Sequence, residues 1–254
     1  MLIPRREDAI HKAWLLRLLT AICERPKLSQ NLGFKGGTCA AMRGFLDRFS
    51  IDLDFDLLAN KKEIPSIRKA LENVFTDLDL TIKDKSSKVP QYFVRYPAKD
   101  MQRRNTIKID ILFPPPKANK YEMVRLPELD RVVKCQTLET MVANKLVALI
   151  ERYERTGKIA GRDVFDVHHF LLNGYSYSKE IILELRKVSI SDFFNRLIEF
   201  VEKHVNNTLI DQDLNHLLPD KEFHAIRKIL KPEILRLLKE ELKREETNQK
   251  TLPM

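Results

Sequence analysis

The chain's 254 residues, 43% hydrophobic and 32% charged, leave room for two ordinary domains or one large one and exclude wholesale disorder. A formal net charge of +9 favours an acidic partner such as nucleic acid, nucleotide or anionic lipid. No stretch approaches the ~18–20 uninterrupted apolar residues of a membrane span, and three scattered cysteines (Cys23, Cys39, Cys135) without a CxxC pair disfavour a structural zinc site or a disulfide framework and fit a reducing cytoplasm.

Taken in chain order, residues 8–24 read as an amphipathic helix ending near Pro26. Its apolar run at 14–22 is short, broken by Arg17, and has no small-residue cleavage site, so no secretory signal is expected. A short strand at 32–35, a Gly36-Gly37-Thr38 turn and a short helix at 39–46 follow. Four of the seven glycines fall within residues 33–44, and such clustering answers a local need for positive φ or close backbone approach. Residues 50–58 alternate apolar and acidic and read as a strand, 63–77 as a helix, and 80–83, 92–96 and 106–113 as strands, the last stopped by Pro114, Pro115 and Pro116. From residue 137 the pattern is helical, in segments at 138–155, 163–172, 178–187, 191–206 and 220–246. Strands crowd the first half and helices the second. That predicts an α+β domain over 1–130 and an all-helical domain over 131–254, joined somewhere between Pro116 and Thr137.

The acidic strand carries the first chemistry. In a strand, residues two apart share a face, so Ile51, Leu53, Phe55 and Leu57 point one way and Asp52, Asp54 and Asp56 the other. Three like charges in a row repel. Two arrangements relieve them: a solvated edge, or a divalent cation between two of them. In the strand at 106–113, Ile107, Ile109 and Ile111 share one face, and Asp110 lies on the other with Lys108 and Leu112. If the two strands are neighbours, Asp110 joins Asp52 and Asp54 as three oxygen ligands suited to Mg²⁺ and phosphoryl chemistry. The alternative for Asp110 is an exposed residue balanced by Lys108. The Gly36-Gly37-Thr38 turn, between a strand and a helix, aims backbone N–H groups and the Thr38 hydroxyl at an anion. It is neither a Walker A loop nor a Rossmann fingerprint, and an ordinary tight turn capped by Thr38 is its alternative reading.

On a helical wheel, Leu138, Met141, Val142, Leu146, Leu149 and Tyr153 form one apolar arc, and Lys145 falls near its middle. Either the lysine snorkels to water, or its ammonium enters a cleft to meet a triphosphate or a carboxylate. Lys145→Met, which keeps the stem and deletes the charge, is expected to leave heat stability equal or higher. Asp163 and Asp166, three apart, open the next helix and share a face. Acidic residues there also simply complement the helix dipole. His168-His169 reads as packing or surface.

The series Gly36-Gly37-Thr38, Arg48-Phe49-Ser50-Ile51-Asp52-Leu53-Asp54-Phe55, Lys108-Ile109-Asp110-Ile111-Leu112, Asn144-Lys145-Leu146 and Arg162-Asp163-Val164-Phe165-Asp166 resembles the AbiEii/AbiGii-type nucleotidyltransferase toxins, a branch of the polymerase-β-like nucleotidyltransferase superfamily. The motifs span residues ~34–170; beyond them the match is only helical. The resemblance implies an α+β fold, a nucleotidyltransferase-like mixed β-sheet flanked by helices and followed by an all-helical C-terminal domain. It implies Mg²⁺-dependent transfer of a nucleoside monophosphate from an NTP to an acceptor, with release of pyrophosphate, by the toxin of a bacterial toxin–antitoxin or phage-defence system with a cognate antitoxin. By position, Asp52 and Asp54 correspond to metal ligands and Asp110 to the third carboxylate, as ligand or general base, of a site for two Mg²⁺ ions in the family's scheme, and Gly36, Gly37, Thr38 and Ser50 correspond to the triphosphate site. Lys145 and Asp166 (or Asp163) correspond to active-site cleft residues. The basic balance, with ten Lys/Arg against five Asp/Glu over residues 95–134 and Arg103-Arg104 close to the Asp110 strand, tilts the acceptor toward RNA, and the resemblance implies a tRNA 3′ end. A transferase acting on a small molecule or protein, and a non-catalytic nucleic-acid-binding module, are the competing readings.

Overall fold

β-Branched residues at every second position make the clearest strand. Ile107, Ile109 and Ile111 are fully buried and alternate with outward-facing Lys108, Asp110 and Leu112, the pattern of a pleated surface with one face on the core. The computed structural model describes residues 1–98 and 104–251, the side chains of 249–251 excepted. This strand is β5 (Thr106–Leu112) of a seven-stranded sheet. The others are β1 (Leu32–Lys35), β2 (Leu53–Leu57), β3 (Thr81–Lys85), β4 (Tyr92–Arg95), β6 (Tyr121–Leu126) and β7 (Arg131–Gln136), in the spatial order β3-β4-β5-β2-β1-β7-β6. The pairs β2/β5 and β1/β7 are parallel and the rest antiparallel, so the sheet is mixed.

Helices α1 (Asp8–Cys23), α2 (Pro26–Ser29) and α4 (Ile64–Asp77) pack on one another, and α3 (Gly36–Met42) lies against β1 and β2. Helix α4 buries Ile67, Leu71, Val74 and Phe75, the i, i+4, i+7, i+8 stripe of an amphipathic helix. Each such side chain contributes ~1.5–3 kcal/mol when withdrawn from water. The sheet and these helices form one compact unit, Met1–Pro115 with Lys120–Thr137.

The second unit takes Pro116–Asn119 and the chain from Leu138 onward. It is helical: α5 (Leu138–Thr156), α6 (Gly161–Leu172), α7 (Lys179–Arg186), α8 (Ile190–His204), α9 (Asn207–Leu214) and α10 (Asp220–Thr251). Ser189 caps α8 by accepting from the Asp192 N–H at 3.0 Å, and Asn206 caps α9 by accepting from Leu209 N–H at 2.9 Å, which satisfies donors the helices leave open. Pro116–Asn119 is tied into this unit by its backbone: the Lys117 and Ala118 N–H groups each donate to the Glu184 carboxylate at 2.8 Å.

The mixed sheet, its flanking helices and the helical C-terminal region agree with the expected fold class. Three boundaries differ. The sheet includes the hairpin β6–β7, so the first unit runs on to Thr137 rather than stopping at 130. This hairpin exposes Met123 and Val132, 62% and 58% accessible, so its apolar residues do not mark a single buried face. Helix α3 begins at Gly36, not Cys39, and β2 begins at Leu53, not Ser50. Asp52 therefore lies just ahead of the strand rather than in it.

Candidate active site

The sheet register fixes the acidic residues. Asp54 on β2 is the partner of Asp110 on the parallel strand β5 and of Lys35 on the antiparallel strand β1. Side chains paired across neighbouring strands share a face, so Lys35, Asp54 and Asp110 form one row. Asp110 is half-buried, and its carboxylate accepts from Lys108. The balancing role of Lys108 and the neighbourhood of the two aspartates thus coexist.

The glycine turn abuts this row. Gly36 has φ +77°, a region that suits glycine, and any Cβ there would collide with the Asp54 carboxylate. The Thr38 hydroxyl, buried at the start of α3, lies 2.8 Å from Ser50 Oγ and 2.5 Å from the Asp52 carbonyl oxygen, to which it donates. Buried Arg48 donates to the Phe49 carbonyl at 2.8 Å. From the opposite side, His11 Nε2 stands 3.0 Å from the Ile51 carbonyl and Nδ1 3.0 Å from the Tyr96 hydroxyl. Burial pulls the His11 pKa down to about 4, only partly opposed by the bond to Ile51. The segment leading into β2 is thus held through its backbone, while Asp54 and Asp110 stay partly exposed.

Asp56 behaves differently. The alternation puts it in a repelling acidic array, yet it is 0% exposed. Its Oδ1 accepts from Lys35 Nζ at 2.6 Å; its Oδ2 accepts from Tyr121 Oη and from Gln136 Nε2, both at 2.7 Å. Donors from three other strands replace water around this carboxylate, so it is a buried, satisfied anion rather than a third member of a solvated row.

In the helical unit, Lys145 Nζ lies 2.7 Å from Asp163 Oδ1 and 2.8 Å from Asp166 Oδ2. Arg152 adds Nε and Nη2 at 2.9 Å to Asp163 Oδ2. Both aspartates are buried, and the lysine side chain is 18% exposed. Burial pushes the Asp163 carboxyl upward, but the Lys145 ammonium and then the Arg152 guanidinium outweigh it and hold the group well below the usual carboxylate range. Asp163 is therefore no mere dipole complement. His168 is buried and meets Glu233 at 2.8 Å, a packing role.

Asp54 and Asp110 offer hard oxygen donors of the kind Mg²⁺ takes, and a positive-φ glycine leaves room beside them. Among the described residues no group of three His, Cys, Asp or Glu side chains is drawn together as a metal cluster, so the donors on hand amount to an in-register pair with Asp52 just upstream. Arg104 is exposed, while Arg103 lies outside the described residues. Sequence reasoning passed over Lys35, Tyr121, Gln136 and His11. The one local signal was the position of Lys35, directly before Gly36; the rest act across the fold.

A protein-family model described as "Nucleotidyl transferase AbiEii toxin, Type IV TA system" matches residues 17–240. Among solved structures, a protein from H. pylori designated a nucleotidyltransferase superposes with a TM-score of 0.60 at 19% identity, covering 96% of this chain and 98% of its own. JHP933 from Helicobacter pylori gives a TM-score of 0.51 at 19% identity, covering 96% and 99%. Both likenesses concern the fold. No curated protein matches.

Proposed function

The chain belongs to the AbiEii nucleotidyl transferase toxin family and is a nucleotidyltransferase, and from that premise we propose that it moves a nucleoside monophosphate from an NTP onto RNA, a tRNA 3′ end being the leading acceptor. The observation that carries this reading is the in-register pair Asp54 and Asp110 beside the Gly36-Gly37-Thr38 turn. Asp52, Asp54 and Asp110 are the residues that would hold Mg²⁺. When bound, that ion would neutralise charge on the phosphates and favour the acceptor's alkoxide. Gly36 and Gly37, lacking side chains, let the turn's backbone lie close against Asp54, Arg48 and Ser50, and the buried Thr38 and Ser50 hydroxyls brace that turn from within rather than meeting an anion directly. Lys145 and Asp166 are included as active-site residues by their place in the motif order alone.

RNA is supported as acceptor by the charge of +9, because nucleic-acid affinity rests largely on neutralised phosphates. The toxin–antitoxin family supports a cognate antitoxin as partner. No helix among the described residues is long and apolar enough to cross a membrane, and a cytoplasmic site of action fits an RNA acceptor. The test is incubation with each α-labelled NTP, Mg²⁺ and total RNA. Label in a discrete RNA band, absent in Asp54→Ala, supports the reading. Label in protein or a small molecule, or none, overturns the RNA assignment.

A further inference from the structure

Lys35 is the last residue of β1 and directly precedes Gly36, Gly37 and Thr38. In the antiparallel register it faces Asp54, so its side chain rises from the same sheet face as Asp54 and Asp110. Its ammonium does not wander there. Asp56, wholly buried, receives it at 2.6 Å, and the other oxygen of Asp56 is held by Tyr121 and Gln136. The Tyr121 ring reaches Asp56 by lying across Gly33, where a Cβ would stand 2.5 Å from the ring. Four strands therefore cooperate to seat one lysine.

Stability alone does not account for this socket. A buried ion pair is often no better than apolar residues of the same volume, and the surrounding sheet is richly apolar. The asymmetry of exposure points elsewhere: Asp56 is sealed, while the Lys35 side chain keeps 20% of its surface. An ammonium has three donors, and Asp56 engages it from the buried side. A triphosphate brings about four negative charges next to two carboxylates, and a helix terminus supplies only about half a charge. A compact ammonium, aimed before the ligand arrives, supplies a whole one.

We propose that Lys35 is a triphosphate-binding residue of the active site and that Asp56, through Lys35, is its positioning residue. This rests on the nucleotidyltransferase reading above. With Lys35 held at its root by Asp56, the phosphates meet a fixed charge rather than a mobile chain, so less side-chain freedom is lost on binding.

The test is equilibrium binding, without RNA, of the α,β-methylene analogues of ATP, GTP, CTP and UTP in Mg²⁺ buffer. Lys35→Met should weaken the preferred analogue about tenfold or more while leaving the corresponding nucleoside unchanged. Asp56→Asn should give a smaller loss in the same pattern, and Lys35→Arg should recover part of the affinity. In the wild-type protein, acylation of Lys35 read by mass spectrometry should slow when the analogue is present, a measurement that needs no variant to fold. Unchanged acylation, or a folded Lys35→Met that binds the triphosphate normally, would overturn the assignment. If the wild type binds none of the four analogues, the nucleotidyltransferase reading falls first and this one with it.

Discussion

Asp54 and Asp110 stand opposite each other on two parallel strands, a register that displays two carboxylates from separate parts of the chain side by side on one sheet face. Neighbouring strands lie ~4.8 Å apart, so the pair stores repulsion that Lys108 and the Lys35 side of the row offset. Replacing one member should therefore not unfold the protein. Asp54→Ala is expected to abolish nucleotidyl transfer while its melting temperature holds or rises slightly, because a like charge is removed. Asp56→Ala should do the reverse in stability, losing on the order of 3 kcal/mol by leaving Lys35 without its buried partner. Calorimetry alongside a labelling assay checks both, and an active Asp54→Ala protein would refute the metal-ligand assignment.

Lys145→Met is the second case, and here the structure reverses the expectation of unchanged or higher heat stability. The lysine is the counter-charge of two buried carboxylates, and deleting it leaves Asp163 with Arg152 and removes an ammonium from Asp166. A loss of ~3 kcal/mol is expected, together with reduced transfer. The sign with pH is specific. The Asp163 carboxyl is held low in the folded state, so its stabilisation is present above about pH 4 and lost as the pH falls further. The difference between wild type and Lys145→Met should narrow in that acid range. A gap that stays constant from pH 7 to pH 3 would show that the charge pair is not its source.

His11 supplies a separate pH signature. Its folded pKa of about 4 lies below its ordinary value of 6.5, so the unfolded chain binds the proton more readily between those limits. Stability contributed by the neutral ring is full above pH 6.5 and is lost as the pH falls toward 4, by an amount on the order of 3 kcal/mol. His11→Gln should flatten the denaturation midpoint across that window. Because His11 holds the Ile51 carbonyl, one residue before Asp52, the same variant should also lower transfer at pH 7.

Arg104 tests the acceptor. If it contacts RNA phosphates, Arg104→Glu should weaken RNA binding severalfold at low salt and reduce the slope of log affinity against log salt by about one. Nucleotide-analogue affinity should change little. Equal losses for RNA and nucleotide would count against an RNA surface at this position.

What could be read from the chain alone follows the range of the interactions. The β5 alternation and the wheel position of Lys145 are local, period-2 and period-3.6 patterns, and both led to residues that the structure pairs with charge. The apolar face of β2 was equally plain. Asp56 was misjudged because its partners Tyr121 and Gln136 lie 65 and 80 residues away, and no local pattern announces a donor that arrives from a distant strand. Asp163 looked like a helix-dipole residue because its place in the first turn is the same in either role; only Lys145 and Arg152, 18 and 11 residues away, distinguish them. The β6–β7 hairpin escaped because its outward apolar residues blur the alternation.

The chain passes between its two units at residues 115/116, 119/120 and 137/138. The excursion of four residues has a practical consequence for dissection. A fragment starting at Leu138 would lack the Lys117 and Ala118 N–H groups that Glu184 accepts, and Asn119, whose side chain receives Asn144 Nδ2 at 3.0 Å. A helical fragment that keeps these contacts must therefore begin no later than Pro116 and carry the β6–β7 hairpin with it. A nick within 127–130, between β6 and β7, would leave Pro116–Asn119 on one piece and helices α5–α10 on the other, so the two pieces should remain associated, through the β6–β7 ladder and the Glu184 contacts, until denaturant is added.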